Sequence, residues 1–358
     1  MDEANRMSAG GREVAPDILK CISCVGVIII HTASLGFSTY IVRCFNWTSS
    51  AVWSCLFRFC VPVFLMCSGA LLLDPQKELG IRRILTHYFL RILLVLMFWS
   101  LAYEFYFIAA KLLLYGEYEP GAWLKAIVRV LTFRHYFHLY YLQMLLIFYL
   151  FLPALRVFVA NAPRSVFRYI LLIWFIFGIL FPYLWKFEPM ASNTGVPAQY
   201  PISNTYAAFG YALLGWYMRS AGIRREQLWR YVGVFALGFA IVFGGTLAFS
   251  LALDTPYSGL MEGMTPGVAL MAAGLFGAVY ALSEGKGPMP RVARAAKASF
   301  CIYLIHHFFI LAFRALGINV YLFYCLFSIP VLSLAVLALS ILGYLVLSRI
   351  PFIREHLI

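Results

Sequence analysis

Long apolar runs recur along the whole chain and constrain its fold more than any other feature. Each has roughly the 20 residues that an α-helix needs to cross the hydrocarbon core of a bilayer. We predict transmembrane helices at residues 18–40, 52–74, 88–114, 137–157, 166–186, 203–219, 229–253, 264–283, 298–316 and 321–348. Because a membrane-spanning backbone must satisfy its own hydrogen bonds, we expect an all-α polytopic membrane protein of about ten transmembrane helices.

Composition excludes a soluble globular domain. The chain is 63% hydrophobic and 12% charged, whereas soluble domains are roughly half apolar and about a quarter charged. The polar first residues and the length of the first apolar run predict an uncleaved span instead of a signal peptide. We expect a cytoplasmic tail at residues 1–16, one transmembrane domain at 17–350 and a second cytoplasmic tail at 351–358, with an amphipathic interfacial stretch at 121–133.

Basic residues predict the orientation of the spans. The net charge is +13, a value that also occurs in proteins that bind nucleic acid or anionic lipid. If the N-terminus lies inside, most Lys and Arg fall in inner loops, as the positive-inside rule requires. The outer side receives only Arg43, Lys125, Arg129, Arg134, Lys186 and Arg314. We therefore expect both termini in the cytoplasm and no nucleic-acid partner.

Cysteine and histidine spacing predicts no metal site. Most of the eight cysteines lie inside apolar runs, where a thiol acts as a small hydrophobic group. Cys21 and Cys24 have CxxC spacing, but both fall in the first predicted span, where a redox or metal role is disfavoured. The seven histidines show no compact ligand pattern such as HExxH.

Ionisable residues inside spans are costly, so each is a hypothesis about function. The first span carries Asp17, Lys20 and His31. Lys20 and His31 are eleven residues apart. In an α-helix this spacing places them within roughly 20° of one face and about 16 Å apart along the axis. One interpretation is a cationic stripe that leads to a catalytic imidazole. The alternative is a snorkelling lysine and a histidine that is hydrogen-bonded to a neighbouring helix.

Further ionisable residues occur in the later spans. Arg58 and Glu104 should face the bundle interior, where they would meet each other or His31; a purely structural ion pair between them is the alternative. His306 and His307 are adjacent, so their side chains point about 100° apart and we expect at most one of them to face the same cavity. His138 is predicted at the outer entrance of the fourth span.

Several motifs occur in the order found in one family. They are Asp17-x-x-Lys20 followed by ten residues and His31; Arg58 with Pro62-Val63-Phe64 and Ser68-Gly69; Arg83 and Arg91 with Phe98-Trp99-Ser100; His138 to Leu142; Gly210 to Tyr217; and Ser299 to His306. Together they resemble the acyltransferase-3 family of integral membrane acyltransferases, in its surface polysaccharide O-acyltransferase branch. Lys20 replaces the arginine that is usual in the first motif. The positive charge is kept, but the bidentate guanidinium that suits phosphate is lost.

The resemblance implies transfer of an acyl group, most often acetyl, from acyl-CoA to a hydroxyl of a surface glycan or glycolipid precursor, in a bacterial-type cytoplasmic membrane. Acyl-CoA would be a co-substrate, and no permanently bound cofactor is implied. The implied catalytic residues are His31 as general base, Arg58 as the stabiliser of developing charge, and Glu104. Donor binding falls to Asp17, Lys20, Arg83 and Arg91, and the acceptor side to His138, Ser299, Tyr303 and His306. Expected partners are acyl-CoA, a free or lipid-linked glycan, membrane lipids and, for a homo-oligomer, further copies of the chain.

Two other functions agree with the same sequence. A polysaccharide exporter or ion-coupled transporter would also have about ten spans and a buried group of ionisable residues. Such transporters often contain internal repeats, which this sequence lacks. A scaffold subunit of a glycan-synthesis complex, without chemistry of its own, is the second alternative.

Overall fold

The computed structural model describes residues 12–192 and 195–358. In these ranges the regular secondary structure is helical, without β-strands. The helices are α1 Val14–Thr39, α2 Phe45–Leu72, α3 Ile81–Tyr115, α4 Ala122–Leu131, α5 Phe137–Asn161, α6 Arg164–Leu184, α7 Asn204–Ser220, α8 Arg225–Leu253, α9 Pro266–Ser283, α10 Pro290–Ala315, α11 Cys325–Leu347 and α12 Pro351–His356. The predicted all-α fold is confirmed.

Nine helices in the described part of the chain are long and apolar enough to cross a membrane. They are α1, α2, α3, α5, α6, α8, α9, α10 and α11. The remaining predicted span, at 203–219, forms α7, a helix of 17 residues. At 1.5 Å per residue it measures about 25 Å, less than the roughly 30 Å of a hydrocarbon core. The described ranges thus contain nine long spans, and a shorter helix forms at the remaining predicted position.

Outward surfaces of the long helices are apolar. Along α11, for example, Phe327, Leu334 and Val346 are all exposed. Continuous apolar surface of this kind would drive aggregation in water, whereas lipid tails solvate it. The chain is therefore a multi-helix membrane protein.

Helix α1 lies at the centre of the bundle. It packs against α2, α9, α10 and α11, and its buried residues extend from Val14 to Phe37. Helix α1 runs without a break from Asp17 to His31, so Asp17, Lys20 and His31 lie on one continuous helix, as the sequence predicts.

Two small residues allow α2 and α7 to pack backbone to backbone. A Cβ atom at Gly69 would collide with the main chain of Ala212, and one at Gly215 would collide with the main chain of Met66. Small residues at such crossings let helices in membranes approach closely and gain van der Waals contact. This close crossing fixes the second half of α2, and the residues just before it, within the bundle.

The predicted amphipathic stretch forms α4. Ala122, Ala126 and Val130 are buried on one face, whereas Trp123 and Leu124 are exposed on the other. Helix α4 packs against α3, so it covers the predicted outer half of that helix.

Candidate functional site

Four histidine side chains from three helices meet in the interior of the bundle. His31 comes from α1, His138 from the first turn of α5, and His306 and His307 from α10. The ring centroid of His31 is 5.4 Å from that of His306, 5.4 Å from that of His307 and 6.2 Å from that of His138. We call this group the histidine cluster. The expectation that at most one of the α10 histidines would approach the site is wrong, because the His31 ring is close to both of the diverging side chains.

Burial distinguishes His31 from the other members. His306 is 0% exposed, His138 1% and His307 2%, whereas His31 is only half-buried. A group that reacts with a substrate must be accessible to it, and a buried neighbour can act only through the accessible one. Within the cluster, His31 is thus the member with accessible surface, and the other three surround it.

Hydrogen bonds fix one ring of the cluster and leave several nitrogens free. Nδ1 of His306 lies 2.7 Å from the carbonyl oxygen of Tyr303. Because a carbonyl only accepts, Nδ1 carries the proton, and in a neutral ring Nε2 has the lone pair. Within the described ranges, that Nε2 atom is buried without a hydrogen-bond partner, and so are both ring nitrogens of His138. Buried polar atoms without partners are rare in native proteins and call for an explanation.

Tyrosines complete the surroundings of the cluster. The hydroxyl of Tyr303 donates to the carbonyl oxygen of His138 and so ties α10 to the start of α5. The hydroxyl of Tyr136 lies 3.1 Å from Nδ1 of His307. Burial raises the pKa of Tyr136 to about 12, so this residue, which precedes α5, stays a neutral phenol at physiological pH. The cluster is thereby linked to the loop between α4 and α5.

A break in α2 positions Arg58. The α-helical hydrogen bonding ends at Leu56 and resumes at Cys60, because Pro62 has no N–H to donate to the carbonyl oxygen of Arg58. The Arg58 side chain is half-buried, donates from Nε to the carbonyl oxygen of Ser54 at 3.0 Å, and lies within electrostatic range of His31. Among the residues described, no carboxylate forms an ion pair with Arg58.

Glu104 pairs with a different arginine from the one expected. Its carboxylate binds the guanidinium of Arg129 through two hydrogen bonds, one of them 3.0 Å long. The prediction that Glu104 would meet Arg58 or His31 is therefore wrong. The reason is that α4 folds back along α3 and brings Arg129 to Glu104, a tertiary contact that the pattern of spans does not contain.

Asp17 and Lys20 mark the end of the bundle where α1 begins. Asp17 is 5% exposed and accepts two hydrogen bonds from the guanidinium of Arg12, at 2.6 and 2.9 Å. The negative charge of the Asp17 carboxylate is therefore balanced by the guanidinium of Arg12. Lys20 is half-buried and lies near Cys67. About 16 Å of helix separates Lys20 from His31, as expected from an unbroken α1.

Arg83 and Arg91 have different surroundings. Arg83 is exposed near the start of α3. Arg91 is half-buried and donates to the main-chain oxygen of Ile358 at 2.6 Å, while Trp99 donates to that of Leu357 at 3.1 Å. The segment predicted as a cytoplasmic tail thus contains α12 and then packs along α3. Its last residue accepts a hydrogen bond from Arg91, whose guanidinium was expected to bind the donor.

Among the expected acceptor-side residues, His138, Tyr303 and His306 come together, but Ser299 does not join them. Ser299 precedes His306 by two turns of α10 towards the start of that helix. Its hydroxyl donates to the carbonyl oxygen of Ala296 at 2.7 Å, and its own carbonyl accepts from the thiol of Cys24. Ser299 therefore serves the packing of α1 against α10 and lies away from the cluster.

Sequence reasoning missed three contributors to this region. His307 was visible as half of a His-His pair, but helix geometry alone argued against it. Tyr136 lies in a loop, where no periodicity marks it. Arg129 was counted only as an outer-side cation. In the described ranges, no group of three or more His, Cys, Asp and Glu side chains has the geometry to hold a metal ion.

Comparison with known proteins assigns the family. A family model described as an acyltransferase domain, of the acyltransferase-3 type, matches residues 13–349, nearly the whole chain. Neither the curated proteins nor the solved structures compared with this chain gave a match. The match spans every helix from α1 to α11 and includes all members of the histidine cluster. The chain therefore belongs to the acyltransferase-3 family of membrane acyltransferases.

Proposed function

We propose that this protein transfers an acyl group, most simply acetyl, from acyl-CoA to a hydroxyl of a surface glycan or glycolipid precursor in the bacterial cytoplasmic membrane. The observation that carries the proposal is the histidine cluster, in which His31 is the residue with accessible surface and lies near Arg58, a cation that has no carboxylate partner among the described residues. Family membership supports acyl transfer in general. The donor, the acceptor and the roles of individual residues are our inference.

In the proposed reaction His31 is the general base. It removes the proton of the acceptor hydroxyl while the hydroxyl oxygen attacks the thioester carbonyl carbon. The tetrahedral intermediate carries its negative charge on the former carbonyl oxygen. When the carbon–sulfur bond breaks, the thiolate of CoA leaves and takes up the proton from His31, so the reaction releases a free thiol and an ester without net change in protons.

Arg58 is the proposed stabiliser of the oxyanion. A cation without a carboxylate partner in a low-dielectric interior has its full field available for a developing negative charge. The cluster can hold at most one positive charge at a time, because two imidazolium rings at these separations would repel each other. Both features suit a base that gains a proton only briefly.

The donor would approach from the end where α1 begins. Lys20 and Arg83 supply positive charge there for the phosphates of CoA, and Arg91 would join them once its bond to Ile358 is exchanged for a phosphate. Asp17 is engaged by Arg12, so we assign it to holding α1 and give it no contact with the donor. Glu104 is bound by Arg129 and has no part in the proposed chemistry.

Labelled acetyl-CoA tests the proposal. Purified protein in liposomes is incubated with it and with a surface-glycan and lipid-linked glycan extract of the source cells, and label on the glycan is measured. We expect His31→Ala to lower turnover by about 10²–10⁴-fold, the usual contribution of a general base. His87→Ala is the matched control, because His87 is exposed near the start of α3 and should keep full activity.

The same assay separates the alternative functions. A transporter or scaffold would leave no label on the glycan, with either the wild-type or the variant protein. If His31→Ala kept full activity, the protein would still be an acyltransferase, but His31 would not be its general base.

A further inference from the structure

A narrow cleft lies between α1, α10 and α11, and its lining includes close sequence neighbours of two members of the histidine cluster. Its walls include Thr32, which follows His31, and Ile310, one helical turn beyond His307. From there it runs towards the predicted outer end of the bundle, past Phe313 and Arg314. Its enclosed volume is about 20 Å³, room for one water-sized group, and the remainder is open to the surroundings. A ligand would insert one small group and keep its bulk outside.

Arg314 is the charged residue of this cleft. The other polar groups are engaged locally: the Asn319 side chain accepts from the N–H of Tyr321 and donates to the carbonyl of Gly317, and the hydroxyl of Thr32 donates to the carbonyl of Ile28. The remaining walls are aliphatic or aromatic. The cleft thus combines apolar walls with one guanidinium.

Pairing sets Arg314 apart from the other predicted outer cations. Arg43, Lys125, Arg129 and Lys186 each form an ion pair with a carboxylate. Arg134 has no ion pair but is exposed to solvent. Arg314 is half-buried, and within the described residues its guanidinium has neither a carboxylate nor a hydrogen-bond acceptor. Partial burial of an unpaired cation is costly, and an anionic ligand would remove that cost.

Helix geometry aligns Arg314 with the site. It follows His307 by seven residues, two helical turns, so the two side chains share one face of α10 about 10 Å apart along the axis. Arg314 also lies within electrostatic range of His307 and of Tyr136. A position in the last turn of α10 favours a cation through the helix dipole. The helix dipole accounts for a cation in the last turn of α10 but not for its place in the wall of an apolar cleft.

We propose that this cleft binds the acidic group of an amphiphilic acceptor, with Arg314 as the residue that holds it. A guanidinium matches the oxygen geometry of phosphate and of carboxylate alike. The bound acidic group would lie about 10 Å along α10 from His307, the member of the histidine cluster two helical turns before Arg314. The role of this ligand as the acyl acceptor rests on the proposed acyltransferase function, whereas the binding of an acidic amphiphile in the cleft does not.

A binding experiment tests the cleft without requiring turnover. The protein is placed in nanodiscs of zwitterionic phosphatidylcholine, and its Tm is recorded with dodecyl phosphate, dodecanoate, dodecyl glucoside or inorganic phosphate. The variants are Arg314→Gln, Arg314→Lys, the outer-end control Arg43→Gln, and His31→Ala. We expect dodecyl phosphate or dodecanoate to raise the Tm of the wild type, Arg43→Gln and His31→Ala, and to bind Arg314→Gln at least tenfold more weakly.

Three results would overturn the proposal. The first is an equal Tm rise in Arg314→Gln, and the second is an equal rise with the uncharged dodecyl glucoside. The third is a rise with inorganic phosphate as large as that with dodecyl phosphate, which would indicate a free-anion site. Arg314→Lys keeps the charge and shows whether a weaker response comes from lost folding. Binding that persists in an inactive protein would support the cleft even if the proposed reaction fails.

Discussion

Arg58 and Arg219 occupy opposite electrostatic surroundings in one bundle. Arg219, in α7, binds the carboxylate of Glu13 at 2.8 Å, that of Asp74 at 3.3 Å and the carbonyl of Ala70 at 2.7 Å. Among the described residues, the Arg58 side chain has a single hydrogen bond, to a carbonyl of its own helix. Polar groups that are fully paired stabilise a fold, whereas groups left without partners retain the capacity to act on a substrate.

The contrast extends to the residues around each arginine. Near Arg219, the hydroxyl of Tyr280 donates to Glu13, and Arg156 binds the carbonyls of Leu72 and Asp74. We call Glu13, Asp74, Arg156, Arg219 and Tyr280 the anchoring network, because it ties α1, α5, α7 and α9 to the loop after α2. The histidine cluster near Arg58 has three buried nitrogens without partners. Substitutions in the two regions should therefore have different consequences.

Removing the charge of Arg58 should produce the largest effect. We expect Arg58→Gln to lower kcat by about 10²–10³-fold, the usual effect of losing one oxyanion donor, with little change in Tm because no ion pair is broken. Arg58→Lys should recover part of the activity. Turnover of labelled acetyl-CoA and thermal unfolding are the measurements. An unchanged kcat, or a large loss of Tm with normal turnover per folded molecule, would make Arg58 a structural residue.

Arg219→Gln should have the reverse outcome. Breaking a buried, multiply bonded ion pair costs several kcal/mol, and partial exposure of Arg219 and Glu13 reduces this to about 2 kcal/mol of unfolding free energy. We expect a lower Tm and a smaller folded yield, with kcat per folded molecule within twofold of the wild type. The exposed pair Arg354–Glu355 offers a control, since Arg354→Gln should change neither quantity. Loss of kcat at unchanged Tm would erase the distinction between the two regions.

Glu104→Gln should have the smallest effect. Its partner Arg129 is 45% exposed, so solvent screens the pair and its loss should cost at most about 1 kcal/mol. We expect the same change in Tm from Arg129→Gln and no additional loss in the double variant, with kcat unaffected in all three. A fall in kcat for Glu104→Gln alone would contradict this and show that the Glu104 carboxylate takes part in the reaction.

Local patterns predicted most of the fold and part of the site. Apolar runs placed every long helix, and the spacing of Lys20 and His31 located them on one continuous α1. The neighbours of each side chain depended on tertiary packing instead. Glu104 met Arg129 because α4 folds back, His307 joined the cluster because the His31 ring is close to both α10 side chains, and Arg91 was engaged by Ile358 because α12 returns along α3.

The crossing of α2 and α7 also limits how the protein can open. Since main chain meets main chain at Gly69 and Gly215, sliding one helix along the other would produce steric clashes, so the second half of α2 and α7 should move as one rigid unit. The histidine cluster is built from α1, α5 and α10, none of which belongs to that crossing. Displacements that widen the access of a substrate to His31 would therefore occur among these three helices, with the second half of α2 and α7 as the stationary frame.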